Sequence, residues 1–146
     1  MADRERRFQD FVEFLIRFIH ELNTLALEGG AVLVEGKRDC DALTKLGYTG
    51  PVVTKASLHS QKGLAALRRI RLAIILTDFD EEGRRLAGRY VDFFDRRGIE
   101  VSLTQRRRLL KASNGTFLHV ENLVRFEDTV QEVVALGSTA HSVRPA

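Results

Sequence analysis

The sequence predicts an α/β fold: a four-stranded, mostly parallel sheet with helices on both faces, one helix added before it and a helical extension after it. Three observations predict this. Short oily runs at 31–35, 52–55, 72–77 and 99–103, each bounded by turn residues, read as buried strands. The stretches between them carry apolar residues at three- and four-residue spacing, which is the helical period. Strands alternating with helices need crossovers that return the chain to the same end of the sheet, so neighbouring strands run parallel.

Each element has its own signal. From Asp3 to about Glu28, Phe8, Phe11, Val12, Leu15, Phe18, Ile19 and Leu22 form a broad apolar stripe, and the pair Gly29–Gly30 stops the helix. "AVLVE" (31–35) is short and β-branched. "GKRD" turns the chain, and Asp39 or Asp41 is expected to cap a helix that buries Ala42, Leu43 and Leu46. "VVTK" (52–55) is the second strand. Ser60 is a candidate cap for a helix marked by Leu64, Leu67 and Ile70. "LAIILT" (72–77) is the most apolar strand, followed by a helix from about Glu81 to Arg97 with Leu86, Tyr90, Phe93 and Phe94 inward. Gly98 ends it, and "IEVSL" (99–103) is the fourth strand. "QRRRLLK" suggests a short helix, "ASNGT" a turn, and 125–136 a final helix, with a frayed tail after Gly137.

The 146 residues suit a single domain spanning 1–146, with a core at about 30–104, an N-terminal helix at about 3–28 and an extension at about 105–146. The net charge is +3, and arginine supplies most of the positive charge, which favours a polyanionic partner such as nucleic acid. One cysteine, Cys40, excludes an internal disulfide and a thiolate zinc cluster. The charged N-terminus fits neither a signal peptide nor a membrane span, so a cytoplasmic protein without a membrane partner is expected. The apolar face of the first helix is expected to pack on the sheet or on a second copy, as a homodimer.

The chemistry gathers where the strands end. Ligands of open α/β sheets sit at the carboxyl ends of the strands. Glu35 closes the first strand, Asp78 the third, and Asp80 follows by two, a spacing that points both side chains the same way on extended chain. If those strands are neighbours, three carboxylates converge and repel one another. A hard divalent cation resolves the repulsion, and magnesium, which prefers oxygen ligands, suits the site. Two such ions are expected, as in two-metal phosphoryl chemistry, with manganese as a substitute. Alternatively Glu35 stays partly free as a general acid or base, its pKa raised by its neighbours. Lys37 and Arg38 beside Glu35, and Arg84 one turn beyond Asp80, are placed to hold phosphates. Glu81 and Glu82 fit the positive end of a helix better than a metal. The residues Arg106, Arg107 and Arg108 read equally as a solvated face or a nucleic-acid contact, and His59 as a loop residue or a phosphate contact. His119 and Glu121 either approach the site or cap the next segment.

"VLVEGKRD" and "IILTDFDEEG" together resemble the two motifs of the Toprim family, which is shared by topoisomerases, primases, nucleases and recombination mediators. "SLHSQKG" and "LTDFDEEGRRLA" resemble its small free-standing members in archaea and bacteria, and "HVENL" (119–123) is similar to a stretch of the related 5S ribosomal RNA maturases. The resemblance implies a Rossmannoid three-layer fold and magnesium at Glu35, Asp78 and Asp80. It also implies that Glu35 is the general acid in joining or general base in cleavage. A nuclease or nucleotidyl transferase acting on nucleic-acid phosphodiesters is expected, or else a non-catalytic module that binds nucleic acid or protein. The chain lacks room for a topoisomerase cleavage domain, and Tyr48 and Tyr90 read as loop and core residues rather than nucleophiles. "EGK" fails as a phosphate-binding loop because Ala31 replaces its glycine, and Glu82 stands where a dehalogenase-type phosphatase wants threonine.

Overall fold

A computed structural model describes residues 2–143, with side-chain surroundings for 2–137. The chain runs α1 (Ala2–Leu27), β1 (Gly30–Leu33), α2 (Lys37–Lys45), β2 (Val52–Val53), a 3-10 segment (Lys55–His59), α3 (Gln61–Leu67) and β3 (Leu72–Ile75). It continues through α4 (Glu81–Asp95), β4 (Glu100–Ser102), α5 (Thr104–Ser113), a second 3-10 segment (Val120–Phe126) and α6 (Glu127–Val143). The strands form one sheet in the order β2-β1-β3-β4, every pair parallel, so the predicted α/β class holds.

Strand periodicity sorts the core into two halves. Val32, Val34, Ile74 and Leu76 face one side, where they meet Leu15, Phe18 and Leu22 of α1, Leu43 of α2, Leu109 of α5, and Leu123 and Val130 of the extension. Ala31, Leu33, Ala73 and Ile75 face the other, against Leu67 and Ile70 and against Leu86, Ala87, Tyr90 and Phe94 of α4. From Phe11 to Leu22 the apolar stripe of α1 is therefore buried in the core of its own chain, while Phe8 stays exposed.

Several boundaries differ from the expected ones. The strands stop earlier than the oily runs, and Val34, Leu76 and Thr77 continue as buried chain beyond the ladder. Of "VVTK" only two residues pair; Lys55 already opens the 3-10 segment. Neither Asp39 nor Asp41 is the cap of α2. The cap position is Gly36, and Asp39 at the third helical position reaches back to accept its N–H at 3.1 Å. Ser60 does cap α3, accepting the N–H of Gly63 at 2.9 Å. The segment Val120–Phe126 folds as 3-10 turns where the final helix was expected to begin, and α6 continues through Gly137 to Val143. Residues 144–146 of the expected frayed tail lie outside the described residues. Tyr48, expected in a loop, is buried and donates to the Pro51 carbonyl at 2.8 Å, while Tyr90 donates to the Val34 carbonyl at 2.7 Å. Burial raises both phenols, Tyr48 to about 12, so neither supplies a phenolate at neutral pH.

Candidate metal centre

β1 and β3 are adjacent in the sheet, with Leu33 opposite Ile75. That register brings Glu35, two residues past the end of β1, beside the loop that leaves β3. The Glu35 carbonyl accepts the N–H of Lys55 at 3.1 Å, which fastens the chain after β2 to the same rim.

The loop from Thr77 to Gly83 is held from several sides. The Thr77 hydroxyl donates to the Gly83 carbonyl at 2.7 Å, and the Gly83 N–H donates to Asp80 Oδ1 at 2.7 Å. Asp80 is thereby the cap of α4, and one of its oxygens remains free of that bond. The Arg106 guanidinium, from α5, donates to the carbonyls of both Thr77 and Asp78. Phe79, between the two aspartates, is buried near Phe117, and its N–H donates to the Leu118 carbonyl at 2.7 Å. A side chain at Gly83 would collide with the backbone of Asp78, so the tight return of this loop requires glycine.

Asp78 is buried, with 6% of its surface exposed. Its Oδ1 accepts the Val120 N–H at 2.7 Å, and its Oδ2 lies 3.3 Å from His119 Nδ1. The same imidazole nitrogen is 3.7 Å from Asp80 Oδ2. Asp78, Asp80 and His119 thus offer three ligand atoms that all lie within 4.8 Å of one another. Glu35 is not part of that tight group. It lies alongside, close enough for both aspartates to act on it, and shares a cleft with Asp80.

Glu35 gives the most direct sign of a missing partner. Its Oε1 is buried and has no hydrogen-bond partner among the described residues. Burial above all, then the charges of Asp78, Asp80, Asp39 and Glu82, pushes its carboxyl up to about 7. An orphaned buried carboxylate oxygen facing other carboxylates is unfavourable unless a cation joins it. The donor set therefore fits a divalent ion: hard carboxylate oxygens for magnesium or manganese, with one imidazole that suits manganese better. His119 is held above its ordinary value, mainly by its hydrogen bond to Asp78.

The basic residues have different surroundings. Lys37 and Arg38 open α2 and are exposed, and Arg38 lies 3.9 Å from the Glu121 carboxylate. Arg84 is exposed on α4, and its charge reaches Arg106. Arg106 is half-buried and braces the aspartate loop instead of facing solvent, and Arg108 pairs with Glu21 of α1. Within that triplet only Arg107 remains exposed with no ion pair among the described residues. Glu81 pairs with Arg85 at 2.7 Å in the first turn of α4. His59 is exposed in the first 3-10 segment. Of the two alternatives open for His119, approaching the site or capping the next segment, the structure brings its imidazole to the aspartates; it lies in "HVENL", whose amides reach two buried aspartates. Val120 donates to Asp78, and the Glu121 amide to Asp39.

A family model described as the Toprim domain matches residues 30–111, a span that contains Glu35, both aspartates and Arg106. The chain belongs to the Toprim family. The match ends before His119, so the imidazole comes from outside the Toprim segment. Among curated proteins, a UPF0292 protein of Methanocaldococcus jannaschii is 33% identical over 122 residues, covering 82% of this chain and 94% of the relative. A UPF0292 protein of Thermococcus gammatolerans is 31% identical over 122 residues, covering 84% of each. These relatives make the chain a small Toprim protein similar to archaeal ones. A solved structure of a protein from Aquifex aeolicus superposes with a TM-score of 0.59 at 25% identity, covering 73% of this chain and 94% of that one. No helix among the described residues is long and apolar enough to cross a membrane.

Proposed function

We propose that this Toprim protein is a magnesium-dependent nuclease or nucleotidyl transferase acting on nucleic-acid phosphodiesters, with manganese able to replace magnesium. One observation carries the proposal: the buried, unpartnered oxygen of Glu35 stands beside the Asp78–Asp80 pair, at the strand edge where an α/β sheet binds ligands. Asp78, Asp80 and Glu35 would hold the metal, one ion or two, and His119 adjoins it. A bound ion of this class offsets negative charge on a phosphoryl group and orients it.

This chain's own residues supply the rest. Asp78 is fixed by the Val120 amide and Asp80 by Gly83, so the two carboxylates meet a ligand without rearranging. The Glu35 carboxyl, which burial and its acidic neighbours raise to about 7 in the metal-free chain, stands beside the metal ligands where a general acid or base would act. Lys37, Arg38 and Arg84 carry exposed cations toward an approaching phosphate backbone. We include in the proposal a cytoplasmic setting and pairing of two copies through the parts of α1 outside its buried stripe, such as Phe8 and Leu27, which sedimentation with Phe8→Glu would test.

The deciding experiment incubates the chain with labelled DNA and RNA and titrates magnesium or manganese by calorimetry in parallel. Metal uptake with metal-dependent turnover, both lost in Asp78→Asn, supports the proposal. Uptake without turnover of any nucleic acid supports a second possibility, a non-catalytic module that binds nucleic acid or protein. One observation favours that second possibility: both oxygens of Asp78 already have partners within the chain, Val120 and His119, as a purely structural aspartate would.

A further inference from the structure

We propose that the cleft shared by Glu35 and Asp80 is the path of a single nucleic-acid strand, and that Lys55 and Arg89 hold the phosphate adjoining the reacting one. The inference rests on the function proposed above. The cleft has a volume of about 440 Å3 and is open to solvent; its lining carries four carboxylates, Glu35, Asp80, Glu81 and Glu82, and three cations, Lys55, Arg85 and Arg89. One wall is the chain leaving β2, where Lys55 is tied to the site through its N–H bond to the Glu35 carbonyl at 3.1 Å. The other wall is α4, where Arg85 and Arg89 stand one turn apart on the same face.

Charge decides which of these cations contacts a ligand. Arg85 is already paired with Glu81 at 2.7 Å. Lys55 and Arg89 are exposed and have no ion pair among the described residues. They flank carboxylates that would hold a cation, so an anion bridging from that cation to Lys55 and Arg89 meets positive charge at both ends, with Glu82 the one acidic neighbour on the lining that neither the cation site nor an ion pair takes up among the described residues. Access points the same way. Away from the cleft, Asp78 is covered by Val120 and His119, and Arg106 is bonded to the loop backbone. Glu35 and Asp80 both line the cleft. A volume of this order takes a ligand of small-molecule size, one nucleotide unit with its phosphate.

The experiment measures binding of short fluorescent single-stranded RNA and DNA to the full chain in manganese, across a salt series. It compares the wild type with Lys55→Gln, Arg89→Gln and the double variant, using Arg107→Gln on exposed α5 as the control. All three positions are exposed, so the variants should fold, and circular dichroism checks that they do. The double variant is expected to lose about tenfold or more in affinity, and its salt slope to fall by about 0.7, since the two cations share one phosphate and each neutralised phosphate on a single strand contributes about 0.7. Calorimetric uptake of manganese should be unchanged. Equal binding by the double variant and the wild type, with binding still lost in Asp80→Asn, would overturn this path and leave the proposed function standing. If the wild type takes up manganese yet binds no strand, both fall together. Preference for duplex over single strand also overturns the proposal.

Discussion

Glu35 carries an electrostatic penalty that a titration can read. Its carboxyl is raised from an ordinary 4.5 to about 7, so between those pH values the folded chain holds a proton that the unfolded chain has released. Stability of the metal-free protein should therefore fall as pH rises from about 4.5 to 7, and this contribution should level off above that. His119 adds a decline in the same direction at higher pH, because its raised pKa gives stability that is lost as it deprotonates. Thermal unfolding in chelator, read at several pH values, checks this. Glu35→Gln should flatten the acid part of the profile and leave the His119 part, and magnesium should flatten the wild-type profile. A flat metal-free wild-type profile would mean that neither burial nor the neighbouring carboxylates act on Glu35 in this way. Gly83 makes the second residue-scale prediction. A Cβ there meets the Asp78 carbonyl, so Gly83→Ala must shift the loop that holds both aspartates. A loss of about 1–3 kcal/mol in stability is expected in denaturant unfolding, along with weakened manganese uptake.

At the scale of elements, α5 does something its sequence did not announce. Three consecutive arginines look like one basic patch, yet a helix sends neighbours about 100° apart, and only one can face outward freely. Arg106 turns toward the carbonyls of Thr77 and Asp78 and lies over Phe79, 5.3 Å from its ring centroid. Its removal frees two backbone carbonyls and slackens the aspartate loop. Arg106→Gln is expected to reduce manganese affinity by about 10- to 100-fold in calorimetry, as outer-shell partners of metal ligands do. Arg106→Lys, with one donor direction where the fork has two, should recover only part of it, and Arg107→Gln should cost nothing. Against this, much of the fold was legible in the sequence. The strands of 31–35 and 72–77 announced themselves because a residue buried on both faces of a sheet must be apolar, and Glu35 and Asp78 stood out because charge cannot continue such a run. The 3-10 segments were not legible. Lys55–His59 and Val120–Phe126, five and seven residues long, make only about two turns each, too few to tell a helical repeat from a loop, so they were hidden. For His119 the sequence left two alternatives open, approaching the site or capping the next segment, since its role depends on a turn that brings residue 119 back to residue 78.

At the scale of the whole molecule, that turn joins the extension to the site and the core together. Asp78 and Asp39, from different elements, receive the amides of Val120 and Glu121, while Leu123, Phe126 and Val130 pack beneath α1. The extension is thus part of the wall behind the metal centre, and loosening its apolar anchor should be felt at the carboxylates. Leu123→Ala separates this from a merely appended helix. Leu123 is fully buried, so the truncation should cost about 2–5 kcal/mol by denaturant unfolding. At temperatures where the variant remains folded, manganese affinity should fall as well, because the Val120 amide that orients Asp78 lies three residues upstream on the same segment. Leu136→Ala, at an exposed position of α6, should change stability by less than about 0.5 kcal/mol and leave metal uptake alone. If Leu123→Ala lowers stability but binds manganese as the wild type does, the extension only covers the core, and the aspartates are held by β3, Gly83 and Arg106 without it.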